Sequence, residues 1–305
     1  MTSLSLPRFA LSFVLLGATL APATDLKIVT THSLGPSVIP PTVITNYYTQ
    51  SRSRREYRNG AGHAAHPGDK TTFTWGPRQA ILQQCDARRT YMLDLDAREF
   101  TVTDLDEHGR AKGVQPVHVS EAKDAGSLEI YLDAVDTGER KEMFGHTARH
   151  IITRERRVAS PGSCAQSNNS ETDGWYIDLD VPHGCDGAQR KAKSSVAVLA
   201  AGPAGCLKNL QVHRTGVAES GFPVQQTVKT HGNYKQADGT EKEFTSTNSS
   251  EVTELSELPL DKALFEVPAG FKQVSKLNTQ PPVPTTVAIQ LWWERLKRSV
   301  RGIFG

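Results

Sequence analysis

Ten histidines are the side chains of this sequence best suited to hold a metal or to move a proton near neutral pH. Two pairs are closely spaced, His63 with His66 and His146 with His150. On a strand, positions four apart lie on one face, so His146 and His150 would point to a common site. Zinc needs a third protein ligand, however, and the chain has no His-Glu-x-x-His segment or comparable set. A metal-dependent hydrolase using His146 and His150 is therefore the last of three functional readings, and neither a metal nor a cofactor is expected. Nucleophilic catalysis has no better footing. There is no Gly-x-Ser-x-Gly elbow, Pro161-Gly162-Ser163-Cys164 lacks a strand-to-helix frame, and Gly202-Pro203-Ala204-Gly205 lacks the Gly-Lys-Ser/Thr of a phosphate loop. The acidic pairs Asp94/Asp96 and Asp104/Asp106 stand beside turns, where Asp serves local hydrogen bonds. The run Arg52, Arg54, Arg55 and Arg58, broken by Glu56 and Tyr57, reads as a solvated strand face. No catalytic residue is assigned, and a non-enzymatic role is favoured.

Four cysteines, Cys85, Cys164, Cys185 and Cys206, are an even set with no Cys-x-x-Cys pair. Disulfides are the default for such a set in an exported chain, with three connectivities open. Export is indicated by the first 23 residues: Arg8, then the short apolar run Phe9 to Leu20, then Ala21-Pro22-Ala23. The run is shorter than the about 20 apolar residues a spanning helix needs, so residues 1–23 read as a cleaved signal peptide and the protein as periplasmic or secreted. The formal net charge is +2, mean hydropathy is −0.42, and 37% of residues are hydrophobic. A nearly neutral chain argues against nucleic acid as the partner.

Elements follow from alternation. Asp25 to Thr31, Thr42 to Thr49, Ala80 to Cys85, Arg89 to Leu95, Glu99 to Asp104, Ser127 to Asp136, Phe144 to Thr153, Trp175 to Leu179, Asn209 to Thr215, Val224 to His231 and Glu243 to Leu255 read as strands. Turns are expected at Asp94 to Arg98 and at Thr137-Gly138-Glu139. Asn59 to Lys70 and Ser160 to Thr172 look irregular, and Leu258 to Phe265 is the one short helix of the body, with Asp261 near its start. Residues 24–277 are thus a mainly β domain: a curved antiparallel sheet or half-barrel with few helices. Residues 278–286, holding Pro281, Pro282 and Pro284, form an extended linker that does not pack. Residues 287–305 form an amphipathic helix. Ile289, Trp292, Trp293, Leu296, Val300 and Ile303 share a face, while Arg295, Lys297, Arg298 and Arg301 lie mostly off it. Such a helix suits an anionic membrane interface, with Ile289, Trp292, Trp293, Leu296, Arg298 and Val300 as contacts. Docking on the protein's own sheet or on a partner satisfies the same pattern.

Several segments resemble secreted bacterial β-rich proteins related to the lipoprotein-carrier, LolA-like, superfamily. They are Asp25-Leu26-Lys27-Ile28-Val29, Gln84-Cys85-Asp86-Ala87-Arg88-Arg89, the stretch from Asp136 to His150, Glu171 to Asp178, and Ala263 to Phe271. The resemblance covers about residue 25 to about residue 273. It implies a curved antiparallel sheet wrapped around a hydrophobic cavity and a ligand that is an acyl chain or lipoprotein. Ile81, Tyr91, Leu93, Phe100, Val102, Ile130 and Leu132 are the inward-facing residues expected to line such a cavity. Two leading readings result: an exported cell-envelope protein that binds a lipid or other apolar ligand, and a scaffold tethered to a membrane or partner by its last helix.

Overall fold

β-Branched and aromatic side chains alternating with polar ones favour extended chain over helix, and strands dominate the protein. The computed structural model describes residues 25–35, 39–63, 71–107, 109–113, 126–163, 165–182, 207–217, 220–235, 240–290 and 292–293. The strands are β1 (Leu26–Leu34), β2 (Thr42–Tyr48), β3 (Arg52–His63), β4 (Thr72–Gln84), β5 (Arg89–Asp94), β6 (Glu99–Asp104) and β7 (Gly126–Met143). They continue as β8 (His146–Ala159), β9 (Asn168–Ile177), β10 (Leu207–Gly216), β11 (Phe222–Lys235), β12 (Glu241–Ser256) and the two-residue β13 (Lys272–Gln273). All join one large open sheet in the order β10-β7-β8-β9-β11-β12-β1-β2-β3-β4-β5-β6-β13. Among the described strands, only the two outermost junctions, β10 with β7 and β13 with β6, are parallel. The mainly β sheet with few helices agrees with the sequence reading.

Local chemistry sets the strand ends. The Asp94 carboxylate, itself buried, accepts from the amides of Asp96 and Ala97 and closes the turn between β5 and β6. Asp106 likewise accepts from the amide of Arg110, so both acidic pairs do serve turns. Gly138 has the positive φ expected of it, +84°, but the chain does not reverse there. β7 runs on to Met143 through a register shift between Asp136 and Arg140, and the reversal falls at Phe144-Gly145, with φ of 55° and 77°. Two successive positive φ values are what a tight hairpin between right-twisted strands demands. Strand also extends into both segments read as irregular, at residues 59–63 and 168–172.

A single sheet needs a second layer over its apolar face. One core gathers Leu26, Ile28, Ala148, Ile177, Val224 and Val252. A second, on β4 and β5, consists of Ala80, Leu82 and Leu93, and its cover is the protein's own later chain: Val267 and Phe271 pack against it. That covering segment begins with a 3₁₀ turn, Lys262–Phe265, capped by the Asp261 side chain. The expected short helix is thus a shorter, tighter one with the anticipated cap. Three polar side chains fasten it. Buried Arg54 donates to the carbonyl of Leu264 at 2.9 Å and buried Gln84 to that of Phe265 at 2.7 Å. Arg52 spans the carboxylates of Asp86 and Glu266. The arginine run is therefore solvated only in part: Arg55 and Arg58 are exposed, but Arg54 is 7% exposed, and Arg58 donates to the carbonyl of Gly76.

The proline segment also differs from expectation, because it packs. It stays extended, but Gln79 donates to the carbonyl of Thr279, Thr74 to that of Pro282, and Leu277 is buried. Side-chain donors along β4, buried Gln79 among them, make a backbone with few amide hydrogens of its own a good partner. Helix follows at residues 285–290 and 292–293, starting where the amide of Ala288 bonds the carbonyl of Pro284.

The two arginines should differ in weight. Arg54→Ala strips the half-buried Leu264 carbonyl and Glu56 carboxylate of their partner and is expected to cost about 2–3 kcal/mol in urea unfolding, whereas Arg52→Ala, at a largely exposed pair, costs about 1 kcal/mol or less. Equal losses would contradict this assignment. The hydrogen bond from Arg52 holds the Asp86 carboxyl below its ordinary pKa. Its contribution is therefore complete above the ordinary carboxylate value and fades as pH falls through the depressed one, so Arg52→Ala should flatten the acid limb of the stability curve.

Candidate functional site

Residues paired across neighbouring strands point to the same face, so the registers of β10, β7, β8, β9, β11 and β12 can be read as rows. One row is His213, Tyr131, Arg156, Asn169, His231 and Thr245. Beside it run Thr215, Asp133, Arg154, Glu171, Lys229 and Thr247. The intervening positions on β7 and β8, Leu128, Ile130, Ala134 and Ile151, are buried on the opposite face. The polar rows line a groove of about 440 Å³ bounded by Tyr131, Asp133, Arg154, Glu171, His213 and His231. A second lobe of about 480 Å³ reaches Asn233, Glu243 and Thr245, and both lobes share Arg156, Asn169 and His231.

Side chains in the groove are held upright. The rings of Tyr131 and His213 stack at 4.7 Å with 15° between their planes, and the guanidinium carbon of Arg156 lies 4.4 Å from the Tyr131 ring centre. Such a stack matches the strand spacing of about 4.8 Å. The Tyr131 hydroxyl donates to Glu129, which holds the phenol pKa above its ordinary value. Arg154 pairs with Glu171 at 3.1 Å, Thr215 donates to Asp133 at 2.7 Å, and the His231 ring meets the Thr245 hydroxyl at 3.0 Å. Among the described residues, the Arg156 guanidinium makes its contact with the Tyr131 ring and forms no ion pair.

The seven residues expected to line one cavity are not brought together. Tyr91, Leu93, Phe100 and Val102 share a face of β5 and β6 with Ala80 and Leu82, far along the sheet from β7. There Leu93 is fully buried in the second core, and Tyr91 and Phe100 pack beside it. Ile81 pairs with Met92 and so faces the other way. Ile130 is buried behind the groove, and Leu132 lines the groove wall. The separation has a simple cause: sequence alternation tells which residues of one strand share a face, but not that seven strands stand between β7 and β4 in the sheet order.

His146 and His150 do share a face of β8, each with a carboxylate. His146 Nε2 is 3.0 Å from Glu257, and His150 Nε2 is 2.9 Å from Asp173 while its ring stacks on Trp175 at 4.9 Å. Lys141 caps the same indole at 4.0 Å. No group of three metal-ligating side chains occurs among the described residues. His63 bonds the Thr74 hydroxyl, and His66 lies outside the described residues. Cys85 is in a disulfide; Cys164, Cys185 and Cys206 lie outside the described residues, as do residues 1–23. Of the helix contacts, Ile289, Trp292 and Trp293 are 51%, 57% and 51% exposed, whereas Val287 is 7% exposed. Leu296, Arg298 and Val300 lie outside the described residues. The groove residues Tyr131, Arg156, Asn169, His213 and His231 were not singled out by the sequence. Alternation within β7 to β11 contained them, but no motif joins them.

The Tyr131 assignment is open to optical titration. Tyr131→Phe should remove an ionisation step lying above the ordinary tyrosine range, and Glu129→Gln should move that step back toward it; loss of a step at the ordinary position on Tyr131→Phe would contradict the contact. The chain matches no protein-family model and no curated protein.

Proposed function

We propose that this chain is an exported, non-catalytic cell-envelope protein that lies on an anionic membrane surface through its C-terminal helix and holds its sheet there as a binding face. The observation that carries this reading is the exposure of Ile289, Trp292 and Trp293 on a helix whose base is fixed by buried Val287. A helix docked on its own sheet would bury those residues. Tryptophan gains at the headgroup level because its ring is apolar and its indole N–H meets water. The sequence continues with Arg295, Lys297, Arg298 and Arg301 against one acid, Glu294, which favours anionic lipid over neutral lipid or an arbitrary apolar partner. Export is supported by the signal-like first 23 residues and by the disulfide at Cys85, since disulfides persist in oxidising compartments.

Lipid carriage, which the LolA-like resemblance implies, draws less support. The apolar face of β4 and β5, where an acyl chain would lie, is packed by Val267 and Phe271. The open groove at the other end of the sheet has charged walls. Lipid extraction and mass spectrometry of the purified protein would favour carriage if a stoichiometric acyl chain were found.

Flotation with phosphatidylglycerol-containing vesicles tests the membrane reading. The full chain should float with anionic vesicles and not with purely zwitterionic ones, and its tryptophan emission should shift to the blue. Trp292→Ala with Trp293→Ala, or removal of residues 289–305, which keeps buried Val287, should abolish flotation while leaving the unfolding free energy in urea within about 0.5 kcal/mol. Unchanged flotation of both variants would refute the proposal.

A further inference from the structure

We infer that the two-lobed groove across β10, β7, β8, β9, β11 and β12 is a glycan-binding site that takes an extended, uncharged oligosaccharide running across the strands. Shape comes first. The lobes share Arg156, Asn169 and His231, and the row from His213 to Thr245 crosses five strand junctions, or roughly 24 Å at the usual strand spacing. A long, shallow, continuous trough suits a chain molecule better than a compact metabolite.

Chemistry narrows the occupant. Donors and acceptors of both charge signs are mixed along the walls: Arg154, Arg156 and Asn169 beside Asp133, Glu171 and Glu243. Each sugar hydroxyl both donates and accepts, so it can use every one of these groups. A polyanion would meet carboxylates, and a polycation guanidinium groups, at like-charge cost. An acyl chain would find apolar contact in the first lobe, but along the second, mostly polar lobe it would desolvate donors and acceptors with nothing in return. A peptide strand would add to a sheet edge rather than cross its face.

Pre-organisation is the third argument. Both faces of the Tyr131 ring are covered, one by His213 and the other by Arg156. The stack therefore offers polar edges rather than a flat platform, and it holds the Arg156 guanidinium upright with no carboxylate paired to it among the described residues. A donor fixed in this way loses little further freedom when it bonds a ligand.

Isothermal titration with chitohexaose, a neutral glucan hexasaccharide, a hexuronate oligomer, and an acylated form of each neutral sugar tests the inference. At least one uncharged oligosaccharide should bind with Kd below about 1 mM. Its monosaccharide should bind more weakly, and Arg156→Ala and Asn169→Ala, both at exposed positions, should each weaken binding by about tenfold or more. Removal of residues 289–305 should change nothing, which separates this site from the membrane reading. The inference is overturned if no sugar binds. It is equally overturned if only the hexuronate binds and salt abolishes it, if only the acylated forms bind, or if both variants bind as the unaltered protein does.

Discussion

Two buried donors set the arrangement of half this molecule. Arg54 and Gln84, on adjacent strands, bind the successive carbonyls of Leu264 and Phe265, and through them fix where the chain after β12 crosses the sheet. Phe265 is then 2% exposed, and Val267 and Phe271 are laid over Leu82 and Leu93. β13 adds to the free edge of β6, where the amide of Lys272 reaches the carbonyl of Arg98. Without this return the β4–β6 portion would be a lone layer with a wet apolar face, a state sheets do not sustain. The polar contacts contribute direction more than energy; burial of the covering apolar side chains supplies most of the gain.

The same constraint reaches the last helix. Because Gln79 and Thr74 continue the line of donors to Thr279 and Pro282, the proline segment is held along β4 instead of swinging free. The helix begins at a defined place, with Val287 inward and Trp292 and Trp293 outward. A tether of free linker would let any apolar face find the sheet. A fixed one prevents the two tryptophans from folding back, which is why their exposure carries weight.

Much of the fold was legible because alternation is a local signal. The strands at Arg89 and Glu99, the Asp94 turn and the Asp261 cap all follow from residues within a few positions of one another. Reversal at Phe144-Gly145 was hidden because Thr137-Gly138-Glu139 carries equally good turn chemistry, and its bulge keeps the strand going; which glycine turns the chain depends on pairing with β8. The arginine run was misleading for a related reason. Arg54 looks like its exposed neighbours until residues some 210 positions later arrive with bare carbonyls. The candidate groove was illegible as a whole: β10 lies parallel beside β7, and no local pattern reports a parallel edge pairing.

The histidines show how sheet geometry decides what a residue type does. Strands stand about 4.8 Å apart, close to the distance at which flat groups stack, so planar side chains at directly paired positions meet face to face. His213 opposite Tyr131 does so, and His150 opposite Trp175 does so again at 4.9 Å with 20° between planes. A stacked imidazole that gives one ring N–H to a carboxylate is held in place with its lone pair on the other nitrogen, and what is missing for a metal among the described residues is a third ligand beside it. His146 and His150 share a face, as the period of a strand requires. Their nearest carboxylates, Glu257 and Asp173, come from different parts of the chain, and the second carboxylate near His150, Glu139 at 3.7 Å, belongs to β7. What alternation makes look like a ligand pair is, across the strands, two separate rungs of one ladder.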